Sequence, residues 1–424
     1  MTSNLPTGSQ QRVSDWRAFA SRFDLDGMRA VLNESACPFD AEDEEFSARA
    51  LLDAVQAGDL SGDTPLHTLW HCLGCGACTP GAQSPRVSFA ALVLQARRLV
   101  VAQGEPKPEL FRGAFASLGR LADASGGLRP RRLLGEQVPV WPHGETVFWT
   151  GRMGLAAALL DAAQAARVQS ALVRSFHALE RAGLKPAVLD PEPILDFESA
   201  WWGDRDTFLR RADLVGSLFK RLDVSRVVTA DPISSLLVQW AVEERGLDVS
   251  VESFVERWRQ MLAGQSIANQ STADQPRADQ PRVGFQRARS VAGGEPLAVL
   301  PGPLVNLSFL ATEPVLDSWS PPSLDDLVWA LGYEPKVLFA EEARSQPGMA
   351  SVGLRSLALV SARSAALCRR LLREADRVHA RKVLVSDPMA WAALMDVSRT
   401  GTWRQALAGP VLPGELVPLD GREG

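Results

Sequence analysis

The chain has 424 residues, of which 46% are hydrophobic and 22% charged, and its formal net charge is −5. That length allows two or three domains with separate cores, and the composition is that of a globular chain. The mildly acidic balance excludes an electrostatic nucleic-acid footprint, and five cysteines with three packed together exclude a secreted disulfide framework.

No signal-peptide pattern opens the sequence, since Met1 to Arg12 is polar. The longest apolar run, Gly154 to Leu172, carries Asp161, Gln164 and Arg167, so it reads as an amphipathic helix and not as a membrane span. The expected setting is a reducing cytoplasm. Residues 1–112 are helical in pattern. Asp40 is the expected N-cap of a helix carrying Phe46, Arg49-Ala50 and Ala57 and closed by Gly58. A second helix is expected from Val87 to Gln103, ending at Gly104. Pro106, Pro108 and a Gly-rich stretch from Gly113 to Gly135 place a connection over 113–144.

From Glu145 the pattern becomes strand–helix alternation. Thr146–Trp149 is a strand, Gly154–Ala182 a long helix and Pro186–Leu189 a strand. Arg205–Leu222 is a helix with Phe208, Ala212, Val215, Phe219 and Leu222 at three- and four-residue steps. Arg226–Ala230 is a strand, after which Asp231-Pro232 opens a helix running to Arg245 and closed by Gly246. The stretch 265–296 is low-complexity, nearly repeats Ala-Asp-Gln-Pro-Arg, and reads as a linker. Beyond it the alternation returns: strands at Leu297–Leu300, Pro335–Phe339 and Lys382–Ser386, helices at Ser323–Leu331 and Leu354–Ala380, and Asp387-Pro388 opening the last helix. Arg226-Val-Val-Thr-Ala-Asp-Pro-Ile-Ser-Ser and Lys382-Val-Leu-Val-Ser-Asp-Pro-Met-Ala-Trp make an internal repeat, giving two α/β units over 145–264 and 297–424. The fold class expected is α+β multidomain.

The chemistry-bearing stretch is Trp70-His71-Cys72-Leu73-Gly74-Cys75-Gly76-Ala77-Cys78, a C-x-x-C-x-x-C run that turns three thiolates toward one centre. A continuous run favours an iron–sulfur cube over zinc, which prefers paired C-x-x-C units. A ferredoxin-type run would continue with a cysteine and a proline, but Ala82 and Gln83 stand there. Read from the residues alone, the fourth ligand is Cys37 of Ala36-Cys37-Pro38-Phe39, His71 or a carboxylate; a three-iron cluster would need none.

The segment Leu69 to Gly104, with its Val-x-Phe-x-x-Leu-Val-Leu-x-x-Arg-Arg pattern, resembles the second cluster-binding segment of heterodisulfide reductase C-type subunits and of the related glycolate oxidase iron–sulfur subunits. The two repeats resemble the B-type, cysteine-rich CCG domains of that family. The resemblance implies an N-terminal α-helical ferredoxin-like domain followed by two degenerate CCG-type α/β units. It also implies a ligand set. In two-cluster ferredoxins the cysteine before proline serves the other cluster. Cys37-Pro38 has the form of a surviving fourth cysteine of a first motif, with Gly27, Ala30 and Asn33 at its companion positions. Cys37, Cys72, Cys75 and Cys78 would then hold the iron of one [4Fe–4S] cluster. In the repeats the family's thiols are gone: Gly151-Arg152 stands where Gly-Cys would be, and the region of the first repeat before Trp201-Trp202-Gly203-Asp204 contains no cysteine. Asp231 and Ser234 replace Cys-Pro-x-Cys in the first unit, as Asp387 and Ala390 do in the second.

The function implied is a non-catalytic electron-transfer subunit relaying single electrons, with no heterodisulfide-reducing site of its own. Its partners would be redox subunits carrying flavin, further clusters or a catalytic metal. It has no nucleic-acid partner and no membrane span, and docking onto a membrane-associated complex is compatible with that. The alternatives are a structural or assembly subunit with zinc or no metal, and an enzyme binding a small ligand in the inter-repeat cleft. Three other features read as structural. Asp231 and Asp387 are helix N-caps before proline. Cys368 is a core residue. Trp201-Trp202 is either core or a partner surface.

Overall fold

The computed structural model describes residues 15–34, 45–60, 62–72, 78–79, 85–105, 114–195, 199, 203–270, 296–299, 334–337, 361–385, 391–392, 394–395, 397–398 and 409–416. The fold is mixed α/β, dominated by helices, with small parallel sheets. No helix among the described residues is long and apolar enough to cross a membrane.

The N-terminal part is helical. Helix α1 (Leu25–Val31) is capped by Asp24, whose side chain accepts from Gly27 N–H. Helix α2 (Ala48–Ala57) starts later than expected. Ser47 is its N-cap, accepting from Ala50 N–H, and Gly58 ends it at φ 75°. The expected start at Asp40 fails because residues 45–47 are not helical; Asp40 itself lies outside the described residues. Helix α3 (Asp63–His71) delivers the chain to Cys72, whose extended backbone (φ −60°, ψ 128°) turns away from the helix. Helix α4 (Phe89–Ala102) is capped by Ser88, and its buried residues run from Phe89 through Leu94, Ala96, Arg97 and Val100. A helix buried this broadly belongs inside a core, with elements packed on more than one side.

The Gly-rich stretch expected as a connection contains helices α5 (Ala114–Ala124) and α6 (Pro130–Leu134). The long helix expected from Gly154 is two: α7 (Gly151–Ala157) and α8 (Ala162–Arg181), because Asp161 accepts from Gln164 N–H and restarts the helix as an N-cap. Strands β1 (Thr146–Trp149), β2 (Pro186–Ala187), β3 (Arg226–Thr229) and β4 (Ser250–Ser253) form a parallel sheet in the order β2-β1-β3-β4. Alternation within β1 divides the two faces: Val147 and Trp149 enter one core cluster and Phe148 the other. Helices α9 (Arg205–Leu222) and α10 (Pro232–Glu244) cover the first face. Helices α8 and α11 (Phe254–Gln270) cover the second. Helix α11 extends into the stretch read as linker.

A second parallel sheet, β5 (Pro296–Val299), β6 (Glu334–Val337), β7 (Lys382–Leu384) and β8 (Gly409–Val411), has the order β6-β5-β7-β8, the same as the first when numbered from its own start. Helix α12 (Ser361–Arg377) contributes Cys368, Leu371 and Leu372 to the core shared with α8. The same α8 carries Arg167, which forks onto Glu415 at 2.7 and 3.0 Å, donates to Pro410 O at 3.1 Å and lies 4.8 Å from the Trp391 ring centroid. Asp387, Ala390, Ser323–Leu331 and Trp201-Trp202 lie outside the described residues.

Candidate functional site

Of the four candidate ligands, Cys72 and Cys78 are described and both are buried, at 6% and 7% exposure. Cys37 and Cys75 lie outside the described residues. Cys72 stands at the end of α3, where helix carbonyls run out of intrahelical donors. Those carbonyls are met by Arg97 of α4. Its Nε donates to Leu69 O at 2.9 Å, and its Nη2 donates to Trp70 O at 3.2 Å and Cys72 O at 2.6 Å. Arg97 is fully buried. Burial pulls its pKa down to about 10, with the Cys72 thiolate pushing the other way, so the side chain remains cationic at neutral pH.

On the other side of the run, Asn33 N–H donates to Cys78 O at 2.7 Å. This bond ties the end of the segment that follows α1 to Cys78. Three residues separate Asn33 from Cys37, and the four steps span about 13 Å at most when extended. Asp24 N–H donates to Arg86 O at 2.9 Å, a second tie between the two segments. His71 points back along α3: its Nδ1 is 2.9 Å from His67 O, and the two rings stack at 3.9 Å. Trp70 is buried at 9% exposure within the core, as an anchor would be. Among the described residues no group of three or more His, Cys, Asp or Glu side chains is gathered for a metal ion. The two described cysteines suit a thiolate-held iron–sulfur group in chemistry, because both are buried and a buried cation donates to Cys72 O.

A second polar site lies at the C-terminal end of the first sheet, where the order reverses between β1 and β3. Three loops converge there. Glu192, fully buried, follows β2 and accepts from Thr150 N–H (2.8 Å), Thr150 Oγ1 (2.9 Å) and Gly151 N–H (2.8 Å) after β1. Asp231, fully buried after β3, accepts from Ser234 N–H at 2.8 Å and Ser234 Oγ at 2.6 Å, the expected N-cap geometry. Ser234 Oγ in turn accepts from Arg152 N–H at 3.0 Å. Desolvation lifts Glu192 to about 8 against the hydrogen bonds from Thr150 and Gly151, and the Asp231 charge adds to the rise. Gly151 is required here: its φ is +53°, and a Cβ would stand 2.0 Å from Ser234 Oγ.

The structure thus brings together Arg152, Asp231 and Ser234, three positions named from sequence. Glu192 was not among them. The signal available was an acidic residue between two prolines, Pro191-Glu192-Pro193, just beyond a strand end. Cys368 is a fully buried core residue of α12.

No protein-family model matches the sequence, and no curated protein matches it. Among solved structures, a hypothetical protein from Helicobacter pylori is similar with 12% sequence identity and a TM-score of 0.48. The similarity covers 80% of this chain and 58% of that one, so this chain spans less than two thirds of that protein's length.

Proposed function

We propose that the chain is an electron-transfer subunit whose cysteine compartment, formed by Cys37, Cys72, Cys75 and Cys78, holds one [4Fe–4S] cluster. When bound, such a cluster takes up and gives back a single electron. The observation that carries the reading is the guanidinium of Arg97, buried without solvent contact and donating to Cys72 O at 2.6 Å. A cation buried beside Cys72 favours negative charge there, as a thiolate-held cluster carries. Burial of Cys72, Cys78 and Trp70 keeps water from the site. The Asn33–Cys78 backbone bond supports Cys37 as the fourth ligand, because it ties Cys78 to a residue four positions before Cys37 in the chain.

The finer assignment of the fold, a helical ferredoxin-like domain followed by two degenerate CCG-type units, belongs to the same proposal. Two observations support it: the identical strand order of the two sheets, and the meeting of Arg152, Asp231 and Ser234 where the family would gather thiols. In the first unit the carboxylates are taken up by main-chain and hydroxyl donors. That unit is a scaffold and docking body, and the chemistry lies in a partner redox subunit carrying flavin, clusters or a metal.

The test is anaerobic purification of the full chain with iron, sulfide and zinc analysis, absorbance, and electron paramagnetic resonance after reduction. About four irons per chain and a reduced-state signal are expected. Zinc without iron sinks the relay and leaves an assembly subunit. Cys37→Ser is expected to lose the four-iron signal; an unchanged signal removes Cys37 from the ligand set.

A further inference from the structure

We infer that Arg97 sets the reduction potential of the cysteine compartment, holding it high with a permanent buried charge next to Cys72. The inference deepens the electron-transfer reading and rests on it.

The geometry exceeds what capping a helix needs. Water or an uncharged donor satisfies terminal carbonyls in most helices. Here one side chain reaches from α4 across to Leu69 O, Trp70 O and Cys72 O, with its head group fully buried. Three acceptors at the end of α3 orient the guanidinium and fix its charge at the point where the chain becomes the ligand loop. A cation there also complements the negative end of the helix dipole.

The position of the charge has a definite sign of effect. Reduction adds one negative charge to a thiolate-held group. A fixed cation nearby in a low-dielectric compartment stabilises the reduced form more than the oxidised one. Arg97 cannot relax that field by losing its proton at neutral pH. Arg97 is therefore a positioning and tuning residue: it contacts the ligand loop and not a reacting atom.

The experiment is a redox titration of the anaerobic full-length protein, followed by electron paramagnetic resonance, for wild type, Arg97→Gln and Arg97→Lys. At a fixed solution potential, Arg97→Gln is expected to lower the reduced-to-oxidised ratio at least tenfold, equivalent to a drop of about 59 mV for a one-electron couple. Arg97→Lys keeps the charge and is expected to stay within about threefold of wild type, or about 28 mV. An iron-replete Gln variant with an unchanged potential overturns the inference, as does a Lys variant that moves as far as Gln. Should the Gln variant lose its iron, the Lys variant decides: within threefold supports the role of charge, and tenfold or more overturns it. Loss of iron from both variants also overturns it, since the side chain is then needed for shape alone. Wild type without iron is a different failure, that of the electron-transfer reading itself, and the wild-type sample reveals it before any variant is compared.

Discussion

Glu192 makes the stability of the first α/β unit depend on pH in a direction opposite to most carboxylates. In the folded chain its proton is held up to about pH 8; in the unfolded chain it leaves near the ordinary value of 4.5. Between those limits the folded state binds one proton more than the unfolded state, so stability falls as pH rises. The slope from this group alone is at most about 1.4 kcal/mol per pH unit, or about 3 kcal/mol from pH 5.5 to 7.5. Glu192→Gln removes the titration and keeps the shape. At pH 5.5 the variant is expected to be the less stable protein by about 1–3 kcal/mol, because its amide must turn a donor toward Thr150 N–H or Gly151 N–H. By pH 7.5 the gap closes or inverts. The assay is thermal unfolding by tryptophan fluorescence at pH 5.5, 6.5 and 7.5. A kcal/mol moves Tm by about 2–4 °C for a cooperative unit of 150–250 residues, so the two Tm curves should converge by about 3–6 °C per pH unit. Other titrating groups, including Glu252 with its own burial-raised pKa, are common to both proteins and cancel. Wild-type and variant curves running parallel across this range would refute a raised pKa at Glu192.

Asp231→Ala removes the cap bond to Ser234 N–H and is expected to cost about 1–2 kcal/mol in urea unfolding, with Asp231→Asn milder. Because the Asp231 charge helps raise Glu192, the same Ala variant should move the pH-dependent loss of stability toward lower pH. Gly151→Ala is expected to lower stability by about 2–4 kcal/mol, from left-handed backbone strain and collision with Ser234. Adding Ser234→Gly should recover part of that loss, and no recovery would place the strain elsewhere. Arg167→Leu leaves the largely buried Glu415 without its fork, at a cost of about 2 kcal/mol after allowing for the partial exposure of Arg167. Amide exchange at Val385, whose N–H is bonded to Val411 O, is expected to quicken by about 30-fold if that end opens locally.

Elements with strong local signals were legible in the sequence. Arg205–Leu222 follows from three- and four-residue apolar steps, Asp231-Pro232 from the preference for an acidic cap before proline, and Gly58 from its left-handed stop. Strand β4 was missed because Ser250–Ser253 is an edge strand, short and partly exposed, with no apolar alternation to mark it. Helices α5 and α6 were hidden by the glycines around them, although Ala114–Ala124 is a sound helical sequence. Asp161 interrupts an apolar run whose average character stays helical, so the break shows only as a cap. At the candidate sites, Cys72 and Cys78 were visible from spacing. Arg97 appeared only as part of a pattern, and Glu192 not at all. Their meaning depends on partners far along the chain: the end of α3 for one and the turn after β1 for the other.

Helix α4 has a consequence for how this chain can vary. Phe89, Leu92 and Val100 share one continuous core with Phe208, Val215 and Trp240 of the first α/β unit, and a Cβ on Gly203 would strike the backbone of Arg97 and Arg98. The wall of the cysteine compartment is therefore also the floor of its neighbour. The two cannot be exchanged as cassettes, and a chain cut between α4 and β1 would strand an apolar face on each fragment. The first α/β unit therefore closes the core that contains Cys72 and Cys78, a structural duty separate from any chemistry at its own sheet end.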